Sequence, residues 1–243
     1  RWWRVSLDNA AQVPAAAAWW AGQPGVALVT PDLVLPKRPS SMVFDDPRYP
    51  GQWYHEELVT DELWAFSLGD AAVRVAVIDS AVELDHPDLA AAFVAPRDTF
   101  DEDDDPSPNP GEFCPSGMGT CDEHGTAVAG IIGARANNGE GIVGFCPECT
   151  LIPIKMLGEG RGSLSADIAA FEHAIDQDAA VINNSWGFVE AIPVPATLAN
   201  VIRRAATEPR GGLGALVVFA AGNDDRALND DELTALPEVL CVS

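Results

Sequence analysis

The chain has 243 residues, of which 47% are hydrophobic and 7% aromatic, a composition typical of a folded globular protein. Its 37 acidic residues outnumber its 14 Lys and Arg residues and give a formal net charge of −23. This charge argues against binding to the phosphate backbone of nucleic acid, and no apolar run approaches the roughly 18 residues that indicate a membrane span.

The first part of the chain, residues 1–38, is predicted to be a unit of its own. The sequence RWWRVSLDNAAQVPAAAAWWAGQPGVALVTPDLVLP predicts a strand, an Ala-rich helix and a second strand, and the basic, polar KRPSS (37–41) is typical of a linker. So short a unit buries little apolar surface by itself, so we expect it to pack against a neighbour. Residues 39–243 form the second, larger predicted domain.

Strands and helices alternate from residue 73 onwards. The predicted strands are VRVAVI (73–78), LIPIKM (151–156), AVINNS (180–185), ALVVFAA (215–221) and EVLCVS (238–243). The predicted helices are 124–136, 165–178 with Ser165 as N-cap, and 195–208 beginning at Pro195. Nearly continuous apolar strands joined by helices indicate a doubly wound, mostly parallel α/β sheet. Functional side chains are expected at the carboxyl ends of its strands.

Two features of the loops leave alternatives open. The acidic stretch RDTFDEDDDPSPNP (97–110) is either a solvated surface loop or a flap that attracts cations near a site. The close cysteine pairs, Cys114 with Cys121 and Cys146 with Cys149, are compatible with two local disulfides, a four-thiolate zinc site or free thiols. Cys241 lies in an apolar strand and is expected only to pack.

Three polar residues at strand and helix ends suggest catalysis when taken together. Asp79 ends an apolar strand, where a buried carboxylate is costly unless it is paired. His124 begins a predicted helix, and an imidazole oriented by a carboxylate acts as a general base. Asn223 follows another strand, from which a side-chain amide can donate to a developing oxyanion. Taken singly, each residue usually has a more ordinary explanation: Asp79 as a cap of a helix or turn, His124 as a structural histidine, and Asn223 as part of a turn.

The order of four sequence blocks carries a family resemblance. VAVIDSAVELDHPDL, HGTAVAGII, VINNSWG and VVFAAGN resemble the successive signature blocks of the subtilisin-like serine peptidases, the subtilases. The resemblance covers roughly residues 45–243 and implies a three-layer subtilisin-like fold that hydrolyses peptide bonds with a Ser-His-Asp triad. It implies that Asp79 pairs with His124 and that Asn223 is the oxyanion-hole donor.

The same resemblance implies a substrate groove and a metal. A protein or peptide substrate is expected to lie as an added β-strand between two extended segments, with a first specificity pocket nearby. The residues expected to bind it are Ser163, Leu164, Ser165, Ser185, Trp186, Gly187, Ala220, Ala221 and Gly222. Asp88 and the loop ARANNGEG resemble segments that hold a structural calcium, with Asn138 as the expected side-chain ligand.

One departure from the family concerns the nucleophile. The family serine lies in a Gly-Thr-Ser-x-Ala block, and no Gly-Thr-Ser occurs in this chain. The N-terminal unit is similar to the second half of a subtilase prodomain, which chaperones folding and caps the active site. We therefore expect a serine endopeptidase whose serine is supplied by a C-terminal segment or a second chain. Prodomain-like sequence and paired cysteines favour a secreted or periplasmic location over a cytoplasmic one.

Two other functions compete with this prediction. The first is a catalytically inactive subtilase relative that binds peptides or partner proteins in the same groove. The second is a nucleotide-binding α/β domain, suggested by GEGRG (158–162) between a strand and a helix. Its spacing is not Gly-x-Gly-x-x-Gly, and the next strand lacks an acidic residue for a ribose.

Overall fold

A computed structural model describes residues 4–30, 42–109, 123–158, 161–190, 192–223, 225–227 and 232–243. Contacts divide the chain into two units, Arg1–Pro39 and Ser40–Ser243. The predicted linker, 37–41, lies outside the described residues.

The first unit contains the predicted Ala-rich helix. Helix α1 (Val13–Ala21) carries Pro14 in its first turn, where the missing N–H costs no intrahelical hydrogen bond. None of its described side chains is buried, and Trp19 is 59% exposed. Residues 4–7 and 26–30 are not strands, contrary to the prediction, because neither stretch has a ladder partner among the described residues.

The second unit contains one parallel sheet. Its strands are β1 (Arg74–Asp79), β2 (Arg97–Asp98), β3 (Thr150–Lys155), β4 (Val181–Asn184), β5 (Leu216–Ala220) and β6 (Val239–Val242). They lie in the order β2-β3-β1-β4-β5-β6, and every pairing is parallel. The expected doubly wound α/β fold is confirmed. Strand β2 was not predicted, because so short a segment has no detectable periodicity.

The helices of this unit lie before, between and after the strands. They are α2 (Trp53–Glu57), α3 (Thr60–Trp64), α4 (His124–Gly133), α5 (Leu164–Asp176), α6 (Ala196–Ala205) and the single turn α7 (Pro209–Gly212). The prediction that Ser165 caps α5 is wrong. Ser163 is the cap, since its backbone is extended and its hydroxyl accepts the N–H of Ala166.

The sheet is packed differently on its two faces. Helices α5 and α6 bury one face in a core that includes Ile78, Ile154, Phe171, Ile202 and Phe219. Helix α4 lies on the opposite face over β1 and β3, where Ala129 packs with Val75 and Leu151. Successive side chains of a strand point to opposite faces of the sheet. Asp79 is four residues after Val75 in β1, so it lies on the same side of the sheet as Val75 and α4.

The structure describes three of the five cysteines. Cys146 and Cys149, both in the loop that joins α4 to β3, form a disulfide with their Cα atoms 5.3 Å apart. Cys241 is a free thiol. Cys114 and Cys121 lie outside the described residues, so the pattern of two bridges stays a prediction. No helix within the described ranges is long and apolar enough to cross a membrane.

Candidate active site

Asp79 and His124 form a hydrogen-bonded pair at the carboxyl edge of the sheet. Asp79 is the last residue of β1 and His124 is the first residue of α4. Nδ1 of His124 lies 2.7 Å from Oδ1 of Asp79. The Asp79 side chain is 1% exposed, whereas that of His124 is 57% exposed. The expected pairing is confirmed as geometry, and the catalytic roles of the two residues stay a prediction.

Gly125 allows the helix to begin this close to the strand. A Cβ atom on Gly125 would lie 2.6 Å from the carbonyl oxygens of Ser80 and Ala81, a distance that side chains do not tolerate. The N–H of Gly125 instead donates to Oγ of Ser80 at 3.0 Å. The N–H of Ser80 donates to Oδ1 of Asp79 at 2.7 Å. The turn after β1 therefore fixes both the carboxylate and the start of the helix that carries the imidazole.

The second carboxylate oxygen of Asp79 accepts no hydrogen bond from the described residues. Oδ2 is buried and has no hydrogen-bond partner among the described residues. A buried carboxylate that is only partly satisfied gains from a nearby positive charge. Accordingly, the hydrogen bond that Nδ1 of His124 donates to Asp79 raises the pKa of His124 above its ordinary value, against the opposing effect of burial.

This pair makes a testable prediction about pH. In an NMR titration we expect the His124 imidazole to titrate above 6.5, and Asp79→Asn to lower that midpoint. Because the folded pKa is the raised one, the pair stabilises the fold below about pH 6.5, and this contribution is lost as the pH rises through the folded pKa. His173, on α5, serves as the internal control. An unchanged His124 midpoint in Asp79→Asn would contradict the assigned cause.

A cavity lies at the carboxyl ends of β4 and β5. It has a volume of about 250 Å³, and Phe219 and Leu233 contribute apolar walls. It also brings together most of the predicted substrate-binding residues and the predicted oxyanion donor, namely Ser185, Trp186, Gly187, Ala220, Ala221, Gly222 and Asn223. Gly222 has a φ of +89°, a conformation that favours glycine and turns the chain into Asn223.

An ion pair inside this cavity had no signal in the sequence. The guanidinium of Arg226 donates to both carboxylate oxygens of Glu232, at 2.7 and 2.9 Å. Both residues line the cavity. The two residues are six positions apart, and no local sequence pattern predicts that they pair.

The other predicted substrate segment differs from expectation. Ser163 is extended, with φ −121° and ψ 150°, but Leu164 and Ser165 are the first residues of α5. The expectation that 163–165 is an extended segment is therefore wrong for Leu164 and Ser165, because the Ser163 cap starts the helix. None of these three residues lines the cavity at β4 and β5.

The predicted calcium residues, Asp88 and Asn138, lie on different loops and contact each other. The side-chain amide of Asn138 donates to Oδ1 of Asp88 at 2.8 Å, and the N–H of Ile142 donates to Oδ2 at 2.9 Å. Asp46, which sequence reasoning missed, is 1% exposed and accepts the N–H of Asn137. Its Oδ1 is buried without a partner among the described residues. Within those residues no cluster of three or more His, Cys, Asp or Glu side chains could hold a metal.

The acidic loop is partly folded around a buried lysine. Lys155, at the end of β3, is fully buried, and its Nζ lies 3.2 Å from Oδ2 of Asp98 and 3.4 Å from Oδ2 of Asp101. Burial raises the pKa of Asp98 against the lowering effect of its hydrogen bonds and of Lys155. This part of the loop is therefore not the simple solvated loop that its composition suggests.

Comparisons with known proteins agree with this geometry. The model of the subtilase family, Peptidase_S8, matches residues 70–240. Halolysin of Haloferax mediterranei is 37% identical, with 75% of this chain and 32% of halolysin covered. The thermophilic serine proteinase of Bacillus sp. (strain AK1) is 34% identical, with 74% of this chain and 40% of that protein covered. The chain thus spans less than half the length of either relative.

A solved structure matches the fold as well. A structure of proteases from Pseudoalteromonas arctica superposes with a TM-score of 0.62 at 29% identity. The match covers 76% of this chain and 60% of that one.

Proposed function

The chain belongs to the subtilase family, and we propose that it supplies the aspartate, the general base and the oxyanion donor of a serine endopeptidase. The single observation that carries this proposal is the 2.7 Å hydrogen bond between buried Asp79 and exposed His124 at the carboxyl edge of the sheet. An imidazole held in one tautomer by a buried carboxylate, with its outer face accessible, suits proton transfer.

Each residue has a defined role in the proposed reaction. As the serine oxygen bonds to the scissile carbonyl carbon, His124 accepts the proton of the serine hydroxyl. Asp79 stabilises the imidazolium that forms. Asn223 donates to the carbonyl oxygen as it becomes an oxyanion. The imidazolium then gives its proton to the leaving amine as the C–N bond breaks. Water, activated by the same imidazole, hydrolyses the acyl-enzyme.

The nucleophilic serine is proposed to lie on a polypeptide outside these 243 residues. No Gly-Thr-Ser occurs in the sequence. The face of the sheet that carries α4 is also apolar and open over β5 and β6, where Leu216, Leu240 and Val242 are 50%, 49% and 51% exposed. A helix packed there, beside α4, would cover these side chains and reach the same edge of the sheet as Asp79.

The remaining parts of the proposal concern the substrate and the cellular context. The substrate peptide is proposed to pair with the extended residue Ser163 and with the segment 185–187, and to place one side chain in the cavity at β4 and β5. Residues 1–38 are proposed to be part of a prodomain. The bridge between Cys146 and Cys149 supports a secreted or periplasmic location.

Peptide hydrolysis by a joined protein tests this function. The chain is produced in one polypeptide with the segment that follows it in the gene, residues 1–38 are removed by proteolysis, and calcium is supplied. We expect cleavage of an unstructured protein such as casein by the joined protein and none by the chain alone. An inactive joined protein would favour the alternative, a subtilase relative that only binds peptides.

Calcium is proposed as a structural ion at the loop 137–142. The residues present fit this ion: Asp88 and Asn138 offer oxygen ligands, and Asp46 contributes a buried carboxylate oxygen that lacks a donor. When bound, the ion would neutralise these buried carboxylates and tie residue 46 to the loop. It is assigned no part in the chemical step.

A stability measurement checks the calcium proposal. At a calcium concentration of about 100 times Kd we expect the free energy of unfolding to rise by about 2.7 kcal/mol. Asp46→Asn and Asp88→Asn should remove most of this gain because each takes away a charged ligand. Asp85→Asn, at an exposed residue close to Asp88 in sequence, is the matched control. Equal thermal unfolding of the unmodified chain in calcium and in a chelator would contradict the proposal.

A further inference from the structure

The cavity at the carboxyl ends of β4 and β5 contains the ion pair of Arg226 and Glu232, which the proposed mechanism does not use. Both carboxylate oxygens of Glu232 accept hydrogen bonds from the guanidinium, at 2.7 and 2.9 Å. The Glu232 side chain is only 12% exposed, and that of Arg226 is 35% exposed. Two parallel hydrogen bonds to a largely buried carboxylate make a stronger interaction than an ordinary surface ion pair.

The cavity is open to a peptide side chain. Gly187, Gly222 and Asn223 line it and are exposed. A Cβ atom on Gly187 would meet no atom within 4 Å beyond its chain neighbours, so the space at this wall is unfilled. An apolar cavity of about 150 Å³ is large enough to bind benzene. The volume of about 250 Å³ found here therefore admits a large side chain.

The other walls give a bound side chain little charge to recognise. The rings of Trp186 and Phe219 meet edge to face in the wall, with their centroids 5.1 Å apart. Among the described residues that line the cavity, Glu190 is the third charged one, and it is exposed. Water and salt screen an exposed carboxylate, so it contributes little. The charge that a bound side chain meets is therefore set by the ion pair.

We propose that Arg226 is a specificity-determining residue, which neutralises Glu232 inside the cavity and makes this subsite accept an uncharged side chain of the substrate and reject Lys or Arg. This inference rests on the proposed function, which places one substrate side chain in the cavity. A basic side chain would have to compete with Arg226 for Glu232 and would be repelled by the guanidinium. An acidic side chain would be repelled by Glu232. An uncharged apolar side chain loses no charge hydration on entry, so selectivity comes from rejection of both charges.

Peptide binding to the full chain tests the inference, because binding does not require the nucleophile. The probes are fluorescein-labelled Ala-Ala-Ala-X amides, in which X is Lys, its uncharged isostere norleucine, or Glu. The dissociation constants are measured by fluorescence anisotropy. At about pH 7.5 we expect the norleucine peptide to bind at least about 10-fold more tightly than either charged peptide.

Two variants should shift the preference in opposite directions. Arg226→Met removes the counter-ion from Glu232, so the Lys peptide should bind at least about 10-fold more tightly than the norleucine peptide. Glu232→Gln removes the carboxylate from Arg226, so the Glu peptide should become the tightest binder of the three. A purely structural role of the ion pair predicts instead a similar loss of affinity for all three peptides.

A second ion pair supplies the matched control. Arg203→Met breaks the pair of Arg203 with Glu238, neither of which lines the cavity, and should keep the norleucine preference. Equal binding of the Lys and norleucine peptides to the unmodified chain would overturn the inference. So would a folded charge variant that keeps the original order of the three peptides or weakens all of them equally. If Arg226→Met does not fold, Glu232→Gln decides the outcome.

These outcomes can be told apart from failure of the proposed function. Labelling of the nucleophilic serine in the joined protein does not depend on Arg226. If labelling succeeds and the peptides show no preference that depends on charge, only the subsite assignment is wrong. If the preference is present and labelling fails, the subsite assignment is retained and the catalytic proposal falls.

Discussion

Replacing His124 with alanine in the joined protein is expected to lower kcat for peptide hydrolysis by on the order of 10⁵- to 10⁶-fold. Among the residues that the structure describes, the imidazole is the only side chain hydrogen-bonded to buried Asp79. The serine hydroxyl is a weak nucleophile without a base. Asp79→Asn should cost about 10⁴-fold, because the amide no longer holds the imidazole in the reactive tautomer.

The readout is the steady-state rate with a chromogenic peptide, together with the acylation burst. His173→Asn is the matched control, since His173 lies near the end of α5 and bonds the carbonyl of Ala95 rather than Asp79. Its rate should stay close to that of the unmodified protein. A His124→Ala protein that keeps more than about one hundredth of the activity would show that another group is the base.

Removal of the side-chain amide of Asn223 is expected to have the second largest effect. Asn223→Ala should lower kcat by about 10²- to 10³-fold and leave KM nearly unchanged, because the donor strengthens its hydrogen bond only as the oxyanion forms. The split between kcat and KM is the decisive measurement. A rise in KM with unchanged kcat would instead mean that Asn223 holds the substrate in its ground state.

Local patterns in the sequence were sufficient to predict most of the sheet and the central pair. Five strands read as continuous apolar runs because both faces of a parallel sheet are covered. Asp79 and His124 were identified because one ends such a strand and the other begins a helix, and because the block order matches the family. Their hydrogen bond is the geometric consequence of these two positions.

The features that were missed depend on contacts between distant parts of the chain. Asp46 accepts the N–H of Asn137 in the calcium-type loop, although the two residues are far apart in sequence. Lys155 is buried because residues 98–101 fold over it, whereas a strand-end lysine is normally exposed. Ser163 rather than Ser165 caps α5 because its backbone is extended. The sequence does not distinguish the two positions, since both are serines and serine is a good cap.

The central claim is that the base is in this chain and the nucleophile is not. Intact-mass spectrometry after reaction with a fluorophosphonate tests it directly. We predict no adduct on residues 1–243 alone, one adduct on the joined protein, and a peptide map that places that adduct on a serine beyond residue 243. An adduct on any serine within residues 1–243 would contradict the claim.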